Sequence, residues 1–395
     1  MIRQNELYPL EQKVEAIQKP LKQVRNRPKG YYYWDQLIDH IGDSSVIFNG
    51  DLTYPRQLEI HLPSDHKKAC GFDCFYCAGK NFVKDLGTWE MDGLELMQKL
   101  KDKIPYHIYG GSYTEPTLNP YFLAYLAMTK RMNCHFGIHT NGSTLLSLEE
   151  NQGWLTELCR IATDKTDYLS VSLDAGSTLS HCKTKNVKEN YFSRILAGIR
   201  LATEIRGTKP AIRMCYLMNQ FNSSQKEIDR IVAFAESVGV DSLRFSIPFA
   251  HYNQSFDVVK RYRNRVEQGY KNVYYKKIEK HLSKDQSDQP FVFWMSPDFQ
   301  DIDLFDFKEC AYGYYQICWG ADGYVYRCTT VSTPTFKKLR LGKITNSFTD
   351  FKWMIKQNQV RKFDCTECFR NGGRCNRMGL EINQEWRSTH GNSNC

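Results

Sequence analysis

The chain has 395 residues, more than one ordinary domain, and its 41% hydrophobic, 13% aromatic and 25% charged residues support a sizeable core and exclude global disorder. The formal net charge of +9 is scattered over pairs such as Lys67/Lys68, Lys183/Lys185 and Lys337/Lys338 rather than gathered in one run, which disfavours nucleic acid as a partner. There is no secretory-type apolar core near Met1 and no stretch of about eighteen apolar residues, so no membrane partner is expected. A cytoplasmic location follows, and there the fourteen cysteines point to metal ligation rather than disulfides.

Residues 1–55 are read as an N-terminal extension. From 56 to 250, short apolar runs alternate with helical periodicity. Strands are predicted over 57–62, 106–109, 134–139, 168–173, 212–217 and 242–246, and helices over 93–101, 120–130, 148–162, 188–205 and 225–238. Six strand-helix units predict an α/β fold with a parallel sheet curled into an incomplete barrel, with functional loops at the carboxyl ends of its strands. The polar segments fall there. Cys70 to Cys77 follows the first strand, Gly110 to Pro116 the second, Thr140-Asn141-Gly142 the third and Asp174-Ala175-Gly176 the fourth. Residues 251–305, which include Phe291-Val292-Phe293-Trp294, read as a linker with helical content. Residues 306–395 read as a smaller cysteine-rich domain.

Cys70-Gly-Phe-Asp-Cys74-Phe-Tyr-Cys77 puts three thiolates within eight residues. Three sulfurs fill three corners of a cubane or tetrahedral site and leave the fourth open for chemistry. Zinc would recruit a fourth ligand, for which His61 and His66 are near in sequence. The spacing, with the aromatic Tyr76 before the third cysteine, resembles that of the radical S-adenosylmethionine (SAM) superfamily. The resemblance implies a partial (β/α)6 barrel holding a [4Fe-4S] cluster whose unligated iron binds SAM. An electron from an external donor such as flavodoxin or ferredoxin then cleaves SAM to methionine and a 5'-deoxyadenosyl radical, which takes a hydrogen from substrate.

By the same resemblance, Gly110, Gly111 and Glu115 receive the methionine amino group, although Ser112-Tyr113-Thr114 separates the glycines from Glu115-Pro116. Ser172 resembles a ribose contact. Thr140-Asn141-Gly142 reads as scaffold, since Asn-Gly is a turn signal by itself. Arg213 and Asn222 are further candidates near SAM, and His139, Asp174, His181 and Lys183 are acid-base candidates near the mouth. None of them is assigned as the base.

The last quarter reads Cys310, then Cys318 and Cys328 around an Asp322-Gly323 hairpin turn, then Cys365, Cys368, Cys375 and Cys395. Alone this resembles a zinc ribbon. After a radical SAM barrel it resembles a SPASM-type domain with one or two auxiliary [4Fe-4S] clusters, Gly323 lying five positions before Cys328 as in that family. The expected ligand sets are Cys365/Cys368/Cys375/Cys395 and Cys310/Cys318/Cys328, the latter with one corner unassigned. Enzymes of this architecture commonly modify peptides or protein side chains, and a peptide substrate would offer a leader and a core. A sugar or aminoglycoside dehydrogenase or epimerase is the alternative enzyme, and a zinc-dependent nucleic-acid-binding protein the alternative of another class.

Overall fold

A computed structural model describes residues 54–64, 70–77, 82, 86–146, 152–188, 190–247, 268–285, 287–294, 313 and 315–360. The N-terminal extension up to 53, His66, Cys310, Cys365, Cys368, Cys375 and Cys395 lie outside the described residues. Among the described residues ten strands form one sheet: β1 (Gln57–Ile60), β2 (Tyr106–Tyr109), β3 (His135–Thr140), β4 (Tyr168–Ser172), β5 (Ala211–Leu217), β6 (Ser242–Ser246), β7 (Phe291–Trp294), β8 (Gln316–Trp319), β9 (Tyr324–Tyr326) and β10 (Arg340–Lys343). Their spatial order is β10-β9-β8-β1-β2-β3-β4-β5-β6-β7. From β8 through β7 every pairing is parallel, while β9 and β10 are antiparallel.

The described helices are α1 (Glu90–Leu100), α2 (Phe122–Arg131), α3 (Gln152–Ile161), α4 (Thr178–Lys185), α5 (Asn190–Ile205), α6 (Gln225–Val238), α7 (Gln268–Ile278) and α8 (Phe348–Val360). In α6 the buried residues Ile228, Ile231, Val232 and Ala235 recur at helical spacing, Ser224 caps the first turn through the Glu227 amide, and Gly239 ends it at φ +71°. Burying each of the Ile and Val side chains contributes about 1.5–3 kcal/mol.

Strand alternation sorts the sheet's two faces. Leu58, Ile60, Phe136, Ile138, Leu169, Val171, Ile212 and Met214 pack in one core with the helices. The other face carries Gln57, Glu59, His61, His139, Ser170, Ser172 and Arg213, floored by an apolar plug of Ile108, Tyr168 and Ala211. A polar inner face under an apolar outer one is what a ligand-holding barrel needs.

Two expectations are corrected and one helix is added. Phe291–Trp294 is no part of a linker: it pairs with β6 as a seventh parallel strand, because its apolar side chains are buried against the sheet edge. The Asp322-Gly323 hairpin forms as expected, with Gly323 at φ +81°, yet β8 pairs in parallel with β1 from Gln57↔Gln316 to Ile60↔Trp319. The described part of 306–395 therefore extends the barrel's own sheet. The segment after Asp174 also carries α4, a helix the apolar pattern does not announce.

Candidate active site

The cysteine loop follows β1 and lies on the C-terminal end of α4. The Asp73 and Phe75 amides donate to the Lys185 and Thr184 carbonyls at 3.2 and 3.3 Å, and Asn186 Nδ2 donates to Asp73 Oδ2 at 3.2 Å. These are carbonyls that a helix end leaves without an intrahelical donor. Inside the loop, Cys77 N donates to Cys74 O at 2.9 Å, so the chain turns tightly between the second and third thiols.

All three thiols are half-buried. Burial pushes the Cys70 thiol up to about 12, and nearby Glu115, Cys74 and Cys77 add to the shift. Burial also raises the Cys74 thiol, against the opposing pull of Lys185. Three soft sulfur donors gathered at one loop, each of which would give up its proton on ligation, fit an iron-sulfur cluster. His61 does not complete a zinc site there. Its ring points to the sheet's polar face, with Nε2 2.9 Å from Glu59 Oε1 and Nδ1 3.1 Å from Ser332 Oγ.

Tyr76 is anchored beneath the loop. Its hydroxyl donates to Asp174 Oδ2 at 2.7 Å and accepts from Lys185 Nζ at 3.0 Å, while Lys185 also pairs directly with Asp174. Asp174 is fully buried, sits at φ +54°, and accepts from the Leu217 amide at 2.7 Å. Burial opposes the Lys185 charge, but Asp174 and the thiols nearby hold its pKa above the ordinary value. A buried cation thus lies near the Cys70 and Cys74 thiols, where it would offset the charge they take on as metal ligands. Lys185 was legible in the sequence only as scattered charge.

Glu115 is 2% exposed and takes four hydrogen bonds. Oε1 accepts from Thr117 Oγ1 and Thr140 Oγ1, each at 2.7 Å, and from Thr117 N at 3.3 Å; Oε2 accepts from Asn141 N at 2.7 Å. Burial raises its pKa against these donors. Among the described residues, one lone pair on Oε2 is left for a further donor such as an ammonium. Gly111 is closely approached by the Thr114 carbonyl, so the loop admits no Cβ there. The inserted residues face the C-terminal segment: Ser112 Oγ donates to Ser332 O at 3.2 Å, and Tyr113 packs with Phe82 and Ala321.

Other expectations separate. Ser172 is half-buried at the end of β4, on the polar face. Asn222 is structural: Nδ2 donates to the Asp174 and Leu217 carbonyls, each at 2.8 Å, and Oδ1 accepts from Asn219 N. The Arg213 guanidinium stacks 3.9 Å over the Tyr168 ring, whose hydroxyl lies 2.9 Å from His139 Nε2. His181 is no mouth residue. It is fully buried between Phe72 and Phe192, and burial pushes its pKa down to about 4. Lys183 is exposed on α4. Cys318 is fully buried 3.8 Å from His61 Nδ1, and Cys328 is close enough to raise its thiol further after burial and Glu59. Asn141, read as scaffold, places Nδ2 3.1 Å from Cys70 Sγ.

Residues 65–235, which include the three cysteines, match the family described as the Radical SAM superfamily. No curated protein matches the chain. Among solved structures, SuiB of Streptococcus suis bound to S-adenosylmethionine is similar with a TM-score of 0.51 at 14% identity, over 93% of this chain and 77% of that one. A histidine-tagged anSMEcpe with bound AdoMet has a TM-score of 0.48 at 16% identity, over 85% and 97%. With the family match lying on the cysteine loop and its barrel, the chain carries a radical SAM domain over residues 65–235 and is an enzyme of the radical SAM class. The cofactors of the class, a [4Fe-4S] cluster and SAM, are therefore its own. Among the described residues, no helix is long and apolar enough to cross a membrane.

Proposed function

We propose that this radical SAM enzyme modifies a side chain or backbone carbon of a ribosomally made peptide in the cytoplasm. Cys70, Cys74 and Cys77 hold the cluster, whose electron splits SAM into methionine and the hydrogen-abstracting radical. Glu115, through its open Oε2 lone pair, and the Gly110-Gly111 backbone receive the methionine ammonium. Tyr76 and Ser172 border the nucleoside, with Tyr76 fixed through Asp174 and Lys185. Cys310, Cys318, Cys328, Cys365, Cys368, Cys375 and Cys395 supply one or two auxiliary clusters.

The observation that carries SAM cleavage is the three-thiol loop beside a buried Lys185 and an anchored Tyr76. It counts against the zinc reading as well, since His61 turns away to Glu59. The peptide substrate rests on the net charge of +9, suited to an acidic leader, and on an N-terminal extension of about fifty residues long enough to bind one.

Anaerobic purification and reconstitution test the first part: brown protein with iron and sulfide releases 5'-deoxyadenosine from SAM under reduction. Colourless protein with stoichiometric zinc refutes it. A short acidic precursor encoded beside the gene, incubated with the enzyme and SAM, should then change mass. Turnover of a sugar with no change in any such peptide would move the substrate to the other class.

A further inference from the structure

Asn141 follows β3 in the Thr140-Asn141-Gly142 turn and reaches across the mouth to the cysteine loop. Its Nδ2 lies 3.1 Å from Cys70 Sγ, and the Phe72 amide approaches the same sulfur at 3.5 Å. The orientation of the side-chain amide is determined by its other end. Oδ1 accepts from the Ser143 amide at 2.8 Å, so only the NH2 group is left to face the sulfur.

The backbone at this point is equally constrained. Asn141 N donates to Glu115 Oε2 at 2.7 Å, Thr140 Oγ1 donates to Glu115 Oε1 at 2.7 Å, and Gly142 N donates to Thr140 Oγ1 at 3.0 Å. Gly142 has φ +79°, which closes the turn where a Cβ would be strained. A buried carboxylate, a turn and an Asx contact thus aim one N–H at one ligand sulfur.

We propose that Asn141 is a positioning residue that donates an N–H···S hydrogen bond to the cluster-bound Cys70 thiolate and raises the cluster's reduction potential. This rests on the reading of Cys70 as a cluster ligand. Reduction adds one electron, taken from an external low-potential donor, and increases the charge on the ligand sulfurs. A donor aimed at sulfur stabilises that state more than the oxidised one, so it eases reduction. The site is partly screened from water, where such a bond keeps more of its strength.

The test is an anaerobic redox titration of the reconstituted holoenzyme without SAM. It follows by EPR the reduced signal that changes when SAM is later added, which separates this cluster from any auxiliary one. In Asn141→Ala the reduced-to-oxidised ratio at the wild-type midpoint should fall about tenfold, a shift of ~59 mV to more negative potential for one electron. Asn141→Asp keeps an acceptor for the Ser143 amide but turns a carboxylate oxygen toward Cys70, so its shift should be larger in the same direction.

A second measurement needs no variant. Wild-type enzyme carrying 15N in its asparagine side chains should show a nitrogen coupling to the reduced cluster in pulsed EPR, and this decides the matter if the variants assemble poorly. Unchanged midpoints in assembled variants, or labelled wild type without that coupling, overturn the proposal. Wild type with no SAM-responsive signal overturns the ligand reading beneath it instead.

Discussion

Replacing Lys185 by Met removes the cation from a pair in which Lys185 and Asp174 are both buried, 2% and 0% exposed. Breaking such a pair from one side costs about 3–5 kcal/mol, because the other charge stays buried without compensation. Asp174 would keep the Tyr76 hydroxyl and the Leu217 amide as donors, each at 2.7 Å, which places the expected loss near the lower end, ~3 kcal/mol. At ~2–4 °C per kcal/mol the thermal midpoint should drop by about 6 °C or more. Adding Asp174→Asn removes the stranded charge, and Asn tolerates the φ of +54° at that position. The double variant should therefore recover about 2 kcal/mol relative to the sum of the singles. Because the Lys185 pKa is raised, this stabilisation is fully present below the unfolded value of about 10.4 and is lost only above it. The deficit should thus be equal at pH 6.5 and 8.5, measured by anaerobic scanning fluorimetry. A double variant as unstable as the summed singles would refute a charge-pair account of this site.

His181 predicts the opposite pH behaviour. Its folded pKa is depressed to about 4, so the unfolded chain takes up a proton first as pH falls below about 6.5. Stability is lost between those values, by ~2 kcal/mol at pH 5. In urea unfolding at pH 7.5 and 5, His181→Leu should show a smaller acid loss than wild type, and equal losses would remove His181 as the cause. Gly111→Ala forces a Cβ against the Thr114 carbonyl, whereas a Cβ at Gly110 meets nothing nearer than 3.6 Å. SAM binding to reconstituted enzyme should weaken about tenfold or more in Gly111→Ala, as overpacking of ~1–3 kcal/mol implies, and change little in Gly110→Ala. Cys74→Ala should abolish 5'-deoxyadenosine release, while Cys368→Ala should remove only auxiliary iron and leave uncoupled release. Equal losses of iron and activity in both would show that the two cysteine regions do not act as separate metal sites.

The six expected strands were legible because parallel strands buried under helices are written as short apolar runs, and their observed bounds lie within two residues of the expected ones. The partner of a strand is written nowhere locally. Nothing in Gln316–Trp319 announces that it pairs with β1, far earlier in the chain, and that pairing carries the hairpin onto the barrel. The helix α4 escaped because Thr178–Lys185 has almost no apolar stripe. Its signal was in the caps: Ser177 and Ser180 form a capping box, and Asn186 closes the helix in the left-handed region. Missing α4 hid Lys185, since a lysine in a presumed loop reads as surface charge. Asn141 was hidden for a different reason: Asn-Gly satisfies a turn so well by itself that the turn needed no further explanation.

The three residues by which the glycine loop departs from the family pattern acquire a structural purpose once β8 is placed beside β1. Ser112 and Tyr113 contact Ser332 and Ala321 of the segment after β7. Ser332 lies 3.1 Å from His61, His61 lies 2.9 Å from Glu59, and Glu59 accepts from Gln316 at 2.8 Å and Thr329 at 2.6 Å. Burial alone would raise the Glu59 pKa, but His61 and Thr329 lower it, so its charge is retained inside the sheet. A buried carboxylate with this many partners is costly to leave half-satisfied, and half of its partners come from the C-terminal hairpin. The polar face of the barrel is therefore not complete until that hairpin has docked. The glycine loop after β2 and the segment that carries Cys318 and Cys328 are parts of one packed unit, and a change in one has a direct path of contacts to the other.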